Sequence, residues 1–156
     1  MKIRSVAILG AGAVGSYLLW GLTDKSGVTV SVVAEGARAD RLRRAGCTIN
    51  GKTYRPQVLN PAQAHGADLL IVALKYGALR GALDDIRAIA GENTTVMSLM
   101  NGVDSEEIIG EAVGDTHVLP ALIKVASHRT EEGVFFDPDT TIGIIYGETQ
   151  PPFDST

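Results

Sequence analysis

Three glycines near the amino terminus form the clearest chemical motif of the sequence. They stand in the segment Gly10-Ala11-Gly12-Ala13-Val14-Gly15, which has the spacing G-x-G-x-x-G. In this spacing the first glycine allows a tight turn, the second lets backbone N–H groups approach a pyrophosphate, and the third lets a helix pack closely on a strand. The motif therefore predicts that all six residues contact a dinucleotide. A glycine-rich turn without a ligand is the alternative.

An acidic residue follows the glycines at the distance expected for a contact with ribose. Glu35 lies 20 residues after Gly15, where a carboxylate can accept hydrogen bonds from both hydroxyls of the adenosine ribose. The same carboxylate would repel the 2′-phosphate of NADP, since two unit charges about 4 Å apart repel by about 4 kcal/mol at an effective dielectric constant near 20. Glu35 therefore favours NAD. Arg38 keeps NADP open, because a guanidinium can bind a phosphate through two hydrogen bonds.

Further candidate residues follow predicted strands. Lys75 comes directly after the apolar segment 68–74, and Asn101 comes directly after the segment 94–100. Ligands of open α/β sheets bind at the carboxyl ends of the strands, where a lysine can bind an anion and an asparagine can both donate and accept hydrogen bonds. We assign both residues to the cofactor site, Asn101 also to the substrate site, and Ala126, after a later strand, to the cofactor site. A surface lysine and a plain turn are the alternatives.

The elements around these residues alternate between strand and helix. Ile3–Leu9 and Val28–Ala34 are short apolar segments typical of buried strands, and the apolar positions between them recur at helical spacing. The alternation continues with a helix at Ala37–Ala45, a strand at Asp68–Leu74, a helix at Leu79–Ala90, a strand at Thr94–Met100, a helix opened by a capping box of Asp104 and Glu107, and a strand at Val118–Val125 that Pro120 interrupts. This order predicts an α/β fold, Rossmann-like and doubly wound, with a mostly parallel sheet.

Two features of the sequence depart from this alternation of strands and helices. Asn50-Gly51 suits the type I′ turn of a small hairpin, because both residues accept positive φ angles. Val134–Phe136 and Ile142–Tyr146 are short apolar segments joined through Asp137-Pro138-Asp139. They predict late antiparallel strands.

Length, composition and charge narrow the possible functions. The 156 residues suit one domain, which we place at residues 1–149, with residues 150–156 as a linker or truncated end. Fourteen basic and eighteen acidic residues give a net charge of −4, so no broad basic surface is expected for nucleic acid or an anionic membrane. The single cysteine, Cys47, favours a reducing cytoplasm. No apolar stretch reaches the roughly 20 residues that cross a membrane, and no metal-ligand spacing is found.

Four segments, together with the glycine motif, resemble one known family. They are Val72–Tyr76, Leu99–Val103, Arg129–Val134 and Ile142–Glu148. The likeness is to the amino-terminal cofactor domain of ketopantoate reductases (2-dehydropantoate 2-reductases) and runs along nearly the whole chain. It implies NADPH-dependent reduction of a small 2-oxo acid on the route to pantothenate and coenzyme A. It also implies that Lys75 and Asn101 line the cofactor and substrate cleft.

The sequence departs from this family in two respects. Where the family usually has an arginine for the phosphate of NADPH, this chain has Glu35. The family's catalytic lysine and glutamate belong to a helical carboxyl-terminal domain that is absent from these residues. We therefore expect residues 1–156 to bind a cofactor without catalysing turnover, with a homodimer as one expected assembly. The alternative function is a stand-alone dinucleotide-sensing module, which Lys75 and Asn101 make less expected because a sensor needs no polar groups beside a nicotinamide.

Overall fold

The computed structural model describes residues 2–10, 12–100 and 104–147. In chain order, the strands are β1 (Ser5–Leu9), β2 (Thr29–Val33), β3 (Cys47–Ile49), β4 (Lys52–Tyr54), β5 (Gln57–Leu59), β6 (Leu69–Val72), β7 (Thr95–Ser98), β8 (Val118–Leu119), β9 (Ala121–Lys124), β10 (Ser127–Thr130), β11 (Gly133–Phe136) and β12 (Gly143–Tyr146). The helices are α1 (Ala13–Leu22), α2 (Gly36–Ala45), α3 (Leu83–Ile89) and α4 (Ser105–Val113). Among these residues no helix has the length and apolar character needed to cross a membrane.

Six of the strands form one parallel sheet. Their order across the sheet is β5-β2-β1-β6-β7-β8, and each neighbouring pair runs in the same direction. From β1 the chain adds β2 and β5 on one side of the sheet. It then returns to the other side of β1 and adds β6, β7 and β8, so the direction reverses between β1 and β6. This arrangement confirms the predicted doubly wound, Rossmann-like fold, in which ligands bind beside the point of reversal.

Alternate side chains of β1 enter two separate cores. Ala7 and Leu9 pack in a cluster with residues of α3 and α4, including Ile86 and Ile109. Val6 and Ile8 pack on the opposite face with residues of α1. Because successive side chains of a strand point to opposite faces, an apolar strand such as β1 can be covered by helices on both sides.

A second, smaller sheet covers α1. It has the order β10-β11-β3-β4, and β3 and β4 form the predicted hairpin, with φ angles of 49° at Asn50 and 80° at Gly51. The side-chain oxygen of Asn50 also accepts a hydrogen bond from the N–H of Phe136 at 2.9 Å. The turn therefore fixes both the hairpin and its junction with β11.

The late strands have antiparallel partners, as predicted, but those partners lie elsewhere in the chain. Val134–Phe136 and Ile142–Tyr146 do not pair with each other, because β11 pairs with β10 and β12 pairs with β9. The predicted strand Val118–Val125 is divided at Pro120, which has no N–H to donate. The part before Pro120 belongs to the parallel sheet and the part after it to the pair of β9 and β12.

The predicted helix Leu79–Ala90 is shorter than its apolar spacing indicates. The chain first makes two 3₁₀ turns, at Tyr76–Ala78 and Arg80–Ala82, and α3 begins only at Leu83. The apolar positions still face the core, since Leu79, Ile86 and Ile89 are fully buried. A 3₁₀ turn and an α-helix place similar side chains inward, so the spacing alone did not separate them.

The Asp68 carboxylate joins the beginnings of two central strands. It accepts hydrogen bonds from the N–H groups of Arg4 (2.8 Å) and Ser5 (3.1 Å), while its own N–H donates to Ser5 Oγ at 2.9 Å. Backbone donors favour the charged carboxylate, so these bonds lower the pKa of Asp68 from its ordinary value of 3.8. Because folding lowers this pKa, the charged carboxylate stabilises the fold at pH values above the ordinary pKa of an aspartate. This contribution is lost as the pH falls through the folded-state pKa.

The substitution Asp68→Asn is expected to lower the free energy of unfolding at neutral pH and to flatten its decline below pH 3.8. The amide can still accept a hydrogen bond but carries no charge for the N–H dipoles to stabilise. Urea denaturation at a series of pH values measures both effects. The control is Asp24→Asn, at an exposed turn residue. Parallel pH profiles for the wild type and Asp68→Asn would contradict this role of the carboxylate.

Candidate functional site

The turn after β1 depends on two of its glycines for steric reasons. Gly10 has a φ angle of +110°, and a Cβ atom there would lie 2.5 Å from the carbonyl oxygen of Ala73. A Cβ atom at Gly15 would overlap the carbonyl oxygen of Gly10. The first glycine therefore lets the chain turn against the end of β6, and the last lets α1 lie close to the turn. Both are required by the fold itself.

Gly12 is different, because the fold does not require a glycine there. Its φ angle of −77° is open to any residue, and a Cβ atom would find no neighbour within 4 Å. The absence of a side chain instead keeps a space clear at the amino end of α1. This is the behaviour expected of a glycine that makes room for a ligand.

The amino end of α1 supplies hydrogen-bond donors to that space. Gly12 is the residue before the helix and provides no side-chain cap, and the first intrahelical bond runs from the N–H of Ser16 to the carbonyl of Gly12 at 2.9 Å. The N–H groups of Ala13, Val14 and Gly15 therefore have no acceptor within the helix. Together with the positive end of the helix dipole they suit a phosphate or pyrophosphate. Ala11, which the glycine motif assigns to the same site, lies outside the described residues.

A cavity of about 220 Å³ opens beside this turn. It lies at the carboxyl ends of β1, β2 and β6, with apolar walls from Leu9, Val33 and Leu74 and with Glu35 and Arg38 among its lining residues. Apolar walls suit the faces of a purine base, while a carboxylate at the margin suits the ribose hydroxyls. The cavity therefore has features that suit an adenosine, and it lies next to the glycine turn.

Glu35 and Arg38 share the beginning of α2. Glu35 is exposed and precedes the helix, and its side chain makes no capping hydrogen bond. Arg38 also lines a second cavity, of about 410 Å³, between α1, α2 and the hairpin of β10 and β11, together with Arg41 and Arg129. Arg38 thus lines two cavities, whereas Glu35 lines the smaller one.

The remaining predicted residues lie farther along the sheet edge. Lys75 is exposed and directly precedes the 3₁₀ turn after β6, so it stands at the carboxyl end of a central strand as predicted. Asn101 lies outside the described residues; the strand before it, β7, is the neighbour of β6. Ala126 is exposed between β9 and β10 and does not line the cavity beside Glu35. Its assignment stays a prediction.

One pair of residues at this edge was not predicted. The hydroxyl of Tyr76 donates a hydrogen bond of 2.6 Å to Asp104 Oδ2, and this bond raises the pKa of the tyrosine. The predicted capping box was therefore wrong, because Asp104 precedes α4 but its side chain makes no capping bond. The sequence contains no sign of this pair, since local spacing says nothing about residues 28 positions apart.

Comparison with known proteins shows one consistent family. The family model for ketopantoate reductase PanE/ApbA matches residues 6–145. A 2-dehydropantoate 2-reductase of Mesorhizobium japonicum is 35% identical over 103 residues, which cover 63% of this chain and 32% of that protein. The crystal structure of 2-dehydropantoate 2-reductase from Geobacter metallireducens has a TM-score of 0.76 and 25% identity, covering 94% of this chain and 50% of that one.

A further structure carries ligands. The ternary structure of D-mandelate dehydrogenase with NADH and anilino(oxo)acetate has a TM-score of 0.72 and 25% identity, covering 85% of this chain and 45% of that one. The chain therefore spans half or less of the length of each of these relatives.

Proposed function

Because the chain belongs to the ketopantoate reductase family, we propose that it is the cofactor-binding part of an NAD(P)-dependent reductase of 2-oxo acids, with 2-dehydropantoate as the substrate. The observation that carries this proposal is Gly12, which keeps a space clear over the free N–H groups of α1 although the fold does not need a glycine there. A purely structural turn would not need that space. A bound pyrophosphate would fill it.

Each described residue of the site has a defined part in this proposal. The first turn of α1 binds the pyrophosphate, and the cavity beside Glu35 holds the adenosine. Lys75, at the carboxyl end of β6, provides a positive charge for a phosphate of the cofactor or for the carboxylate of the substrate. When bound, the reduced cofactor supplies the hydride for the keto carbon. This assignment brings the two reactants together at one sheet edge, where open α/β sheets bind their ligands.

The substrate class rests on the family and on the ligands of related structures. The relatives include 2-dehydropantoate 2-reductases, and the D-mandelate dehydrogenase structure contains both NADH and anilino(oxo)acetate, a 2-oxo acid derivative. Both are compatible with a small carboxylate bound near Lys75. The direct test of cofactor binding is titration of NADH fluorescence with the 156-residue chain. An unchanged spectrum at millimolar protein would contradict the proposal.

For the cofactor we propose a preference for NAD over NADP. Glu35 lines the adenosine cavity and its carboxylate is not used as a helix cap, so it is free to bind the ribose hydroxyls. A 2′-phosphate would meet that negative charge. The NADH complex of the related D-mandelate dehydrogenase supports the same choice. A stronger affinity for NADP in the unmutated chain would instead assign the choice to Arg38.

The substitution Glu35→Arg is expected to reverse the preference, changing the ratio of the NAD and NADP dissociation constants by about tenfold or more. It removes a repulsive charge and adds a group that can bind the phosphate through two hydrogen bonds. Calorimetry at low and moderate salt is the measurement, since a preference based on charge decreases with screening. Glu92→Arg is the matched control, because it makes the same change of charge at an exposed residue before β7. An equal shift in both variants would mean that net charge alone is responsible.

A further inference from the structure

The larger cavity, of about 410 Å³, has no part in the proposed function. It lies between α1, α2 and the hairpin of β10 and β11, and its lining includes Arg38, Arg41 and Arg129. We propose that this cavity is a second binding site, which takes a small molecule with a phosphate group and hydroxyl groups. The site goes beyond the proposed function and does not depend on it.

The three arginines form no ion pair among the described residues. The ion pairs found there lie elsewhere on α2 and on α3. Glu131 and Glu132 also line the cavity, but neither is paired with an arginine. Three like charges around one space attract a multiply charged anion. Guanidinium groups bind a phosphate through paired hydrogen bonds, so a phosphate group is the anion that suits this cavity.

Other polar groups of the wall suit the rest of the ligand. Ser16 of α1 is 3% exposed and lines the cavity, as does Thr130 of β10. Thr130 Oγ1 accepts a hydrogen bond from the N–H of Glu132 at 3.1 Å, which leaves its O–H as a donor. The carboxylates of Glu131 and Glu132 can accept hydrogen bonds from hydroxyl groups of a ligand. Donors for a phosphate and acceptors for hydroxyls are thus present in one cavity.

Two glycines hold the walls of the cavity close together. Gly46 ends α2 with a φ angle of +68°, and a Cβ atom there would lie 2.5 Å from the carbonyl oxygen of Tyr54. Gly133 has a φ angle of +134°, and a Cβ atom there would overlap the carbonyl oxygen of Thr48. The chain therefore packs tightly where α2 leads into β3 and where β11 meets β3. A preformed cavity of this kind lowers the cost of binding a ligand.

The cavity is distinct from the one proposed for the adenosine. Among the described residues the two cavities share only Arg38. Arg41 and Arg129 line the larger cavity alone, so their substitution tests the new site and leaves the cavity beside Glu35 unchanged. A volume of about 410 Å³ also lies in the range of small-molecule pockets, roughly 300–1,000 Å³. It therefore has room for a ligand larger than a phosphate ion.

Cys47 provides a reporter inside the cavity. It is the single cysteine of the chain, and it lines the same space as Arg129. Burial raises the pKa of the Cys47 thiol, while the positive charge of Arg129 acts in the opposite direction. The guanidinium thus lies near the sulfur. A ligand bound to Arg129 should therefore shield the thiol from a neutral alkylating reagent.

The test follows alkylation of Cys47 by iodoacetamide while ribose 5-phosphate is added up to about 10 mM. We expect saturable protection, with a rate at least about fivefold slower at saturation. Inorganic phosphate should bind at least about tenfold more weakly, because it has no hydroxyl-bearing body, and ribose should give no protection. Equal affinities for phosphate and ribose 5-phosphate would contradict the hydroxyl-bearing ligand, and protection by ribose would contradict the role of the phosphate group.

Two variants test the arginines. Arg41→Gln and Arg129→Gln are expected to raise the dissociation constant of ribose 5-phosphate by about tenfold or more, in line with the loss of hydrogen bonds to a charged group. Arg44→Gln is the matched control, because it makes the same change on α2 outside the cavity. The midpoints of the protection curves are compared, since Arg129 also affects the reactivity of the thiol itself. Thermal unfolding of each variant shows that the compared proteins are folded.

The possible outcomes separate this site from the cofactor site. Alkylation that ribose 5-phosphate does not slow would overturn the proposal, and so would equal dissociation constants in the wild type, Arg41→Gln and Arg129→Gln. NADH should bind Arg129→Gln as it binds the wild type. An equal loss of affinity for NADH would assign the cavity to the cofactor and overturn a second site. A wild-type chain that binds ribose 5-phosphate at Cys47 but does not bind NADH would support this site and contradict the proposed function.

Discussion

Replacing Gly12 by leucine is expected to weaken the binding of NADH and NADPH by at least about a hundredfold while the fold remains intact. The side chain would occupy the space over the first turn of α1, where N–H groups have no intrahelical acceptor and where we propose that the pyrophosphate binds. The free protein has no atom within 4 Å of the new Cβ position, and the backbone angle suits any residue. The substitution should therefore weaken cofactor binding without lowering the stability of the fold. Calorimetric titration and thermal unfolding measure the two effects.

Two other glycines serve as controls for this experiment. Gly21→Leu adds the same side chain to the same helix, also without a neighbour within 4 Å of Cβ, and should leave binding unchanged. Gly15→Ala should instead lower the stability of the fold, because its Cβ overlaps the Gly10 carbonyl. It is expected to reduce stability by roughly 1–3 kcal/mol or more. Similar cofactor affinities for wild type and Gly12→Leu would show that the open space over α1 is not the binding site.

The parallel sheet could be predicted from the sequence because its strands are buried on both faces. Strands such as β1 and β6 are continuous apolar segments bounded by glycine or by polar residues, and apolar spacing also marks α1 and α2. The right-handed crossover rule then leaves few arrangements of alternating strands and helices. The order of the strands follows from this alternation more than from any single residue.

The smaller strands could not be predicted in the same way. All four residues of β10 are exposed and polar, and β5 has only three residues, so neither shows an apolar pattern. The partners of β11 and β12 are set by contacts with distant segments. The apolar pattern of those two strands predicted that they exist but not their partners. Pro120 marked the division between β8 and β9, yet the sequence did not indicate that the two belong to different sheets.

The sequence indicates only part of the candidate site, for a related reason. The glycine turn and Glu35 are recognised by local spacing, because the turn, the helix and the second strand follow one another along the chain. The bond from Tyr76 to Asp104 depends instead on the packing of β6 beside β7. A capping box was the better local prediction for Asp104, and a contact between loops replaced it. Interactions across the sheet edge thus form the part of the site that spacing does not reveal.

A protein consisting of residues 1–156 alone is expected to bind NADH but to reduce 2-dehydropantoate at least about 10²- to 10³-fold more slowly than a full-length relative. Hydride transfer turns the keto group into an alkoxide, which needs a proton or a positive charge as it forms. Removal of one such stabilising group commonly costs this factor. Lys75 is a candidate at the cleft, but it is exposed and its resemblance is to a residue that binds ligands.

Positioning of the substrate adds to this loss. The proposed site for the cofactor has the cavity beside Glu35 and the glycine turn to hold it, whereas Lys75, the residue proposed to meet the substrate, is exposed. Correct placement of two reactants can lower the activation free energy by roughly 7–11 kcal/mol. Water at an open edge competes for the substrate's position and reduces this gain. NADH oxidation should be followed with this chain and with the Geobacter metallireducens reductase in parallel. Steady-state turnover within about tenfold of the relative would contradict the prediction, and a lower kcat at unchanged NADH affinity and KM in Lys75→Met would then point to the lysine as the acid.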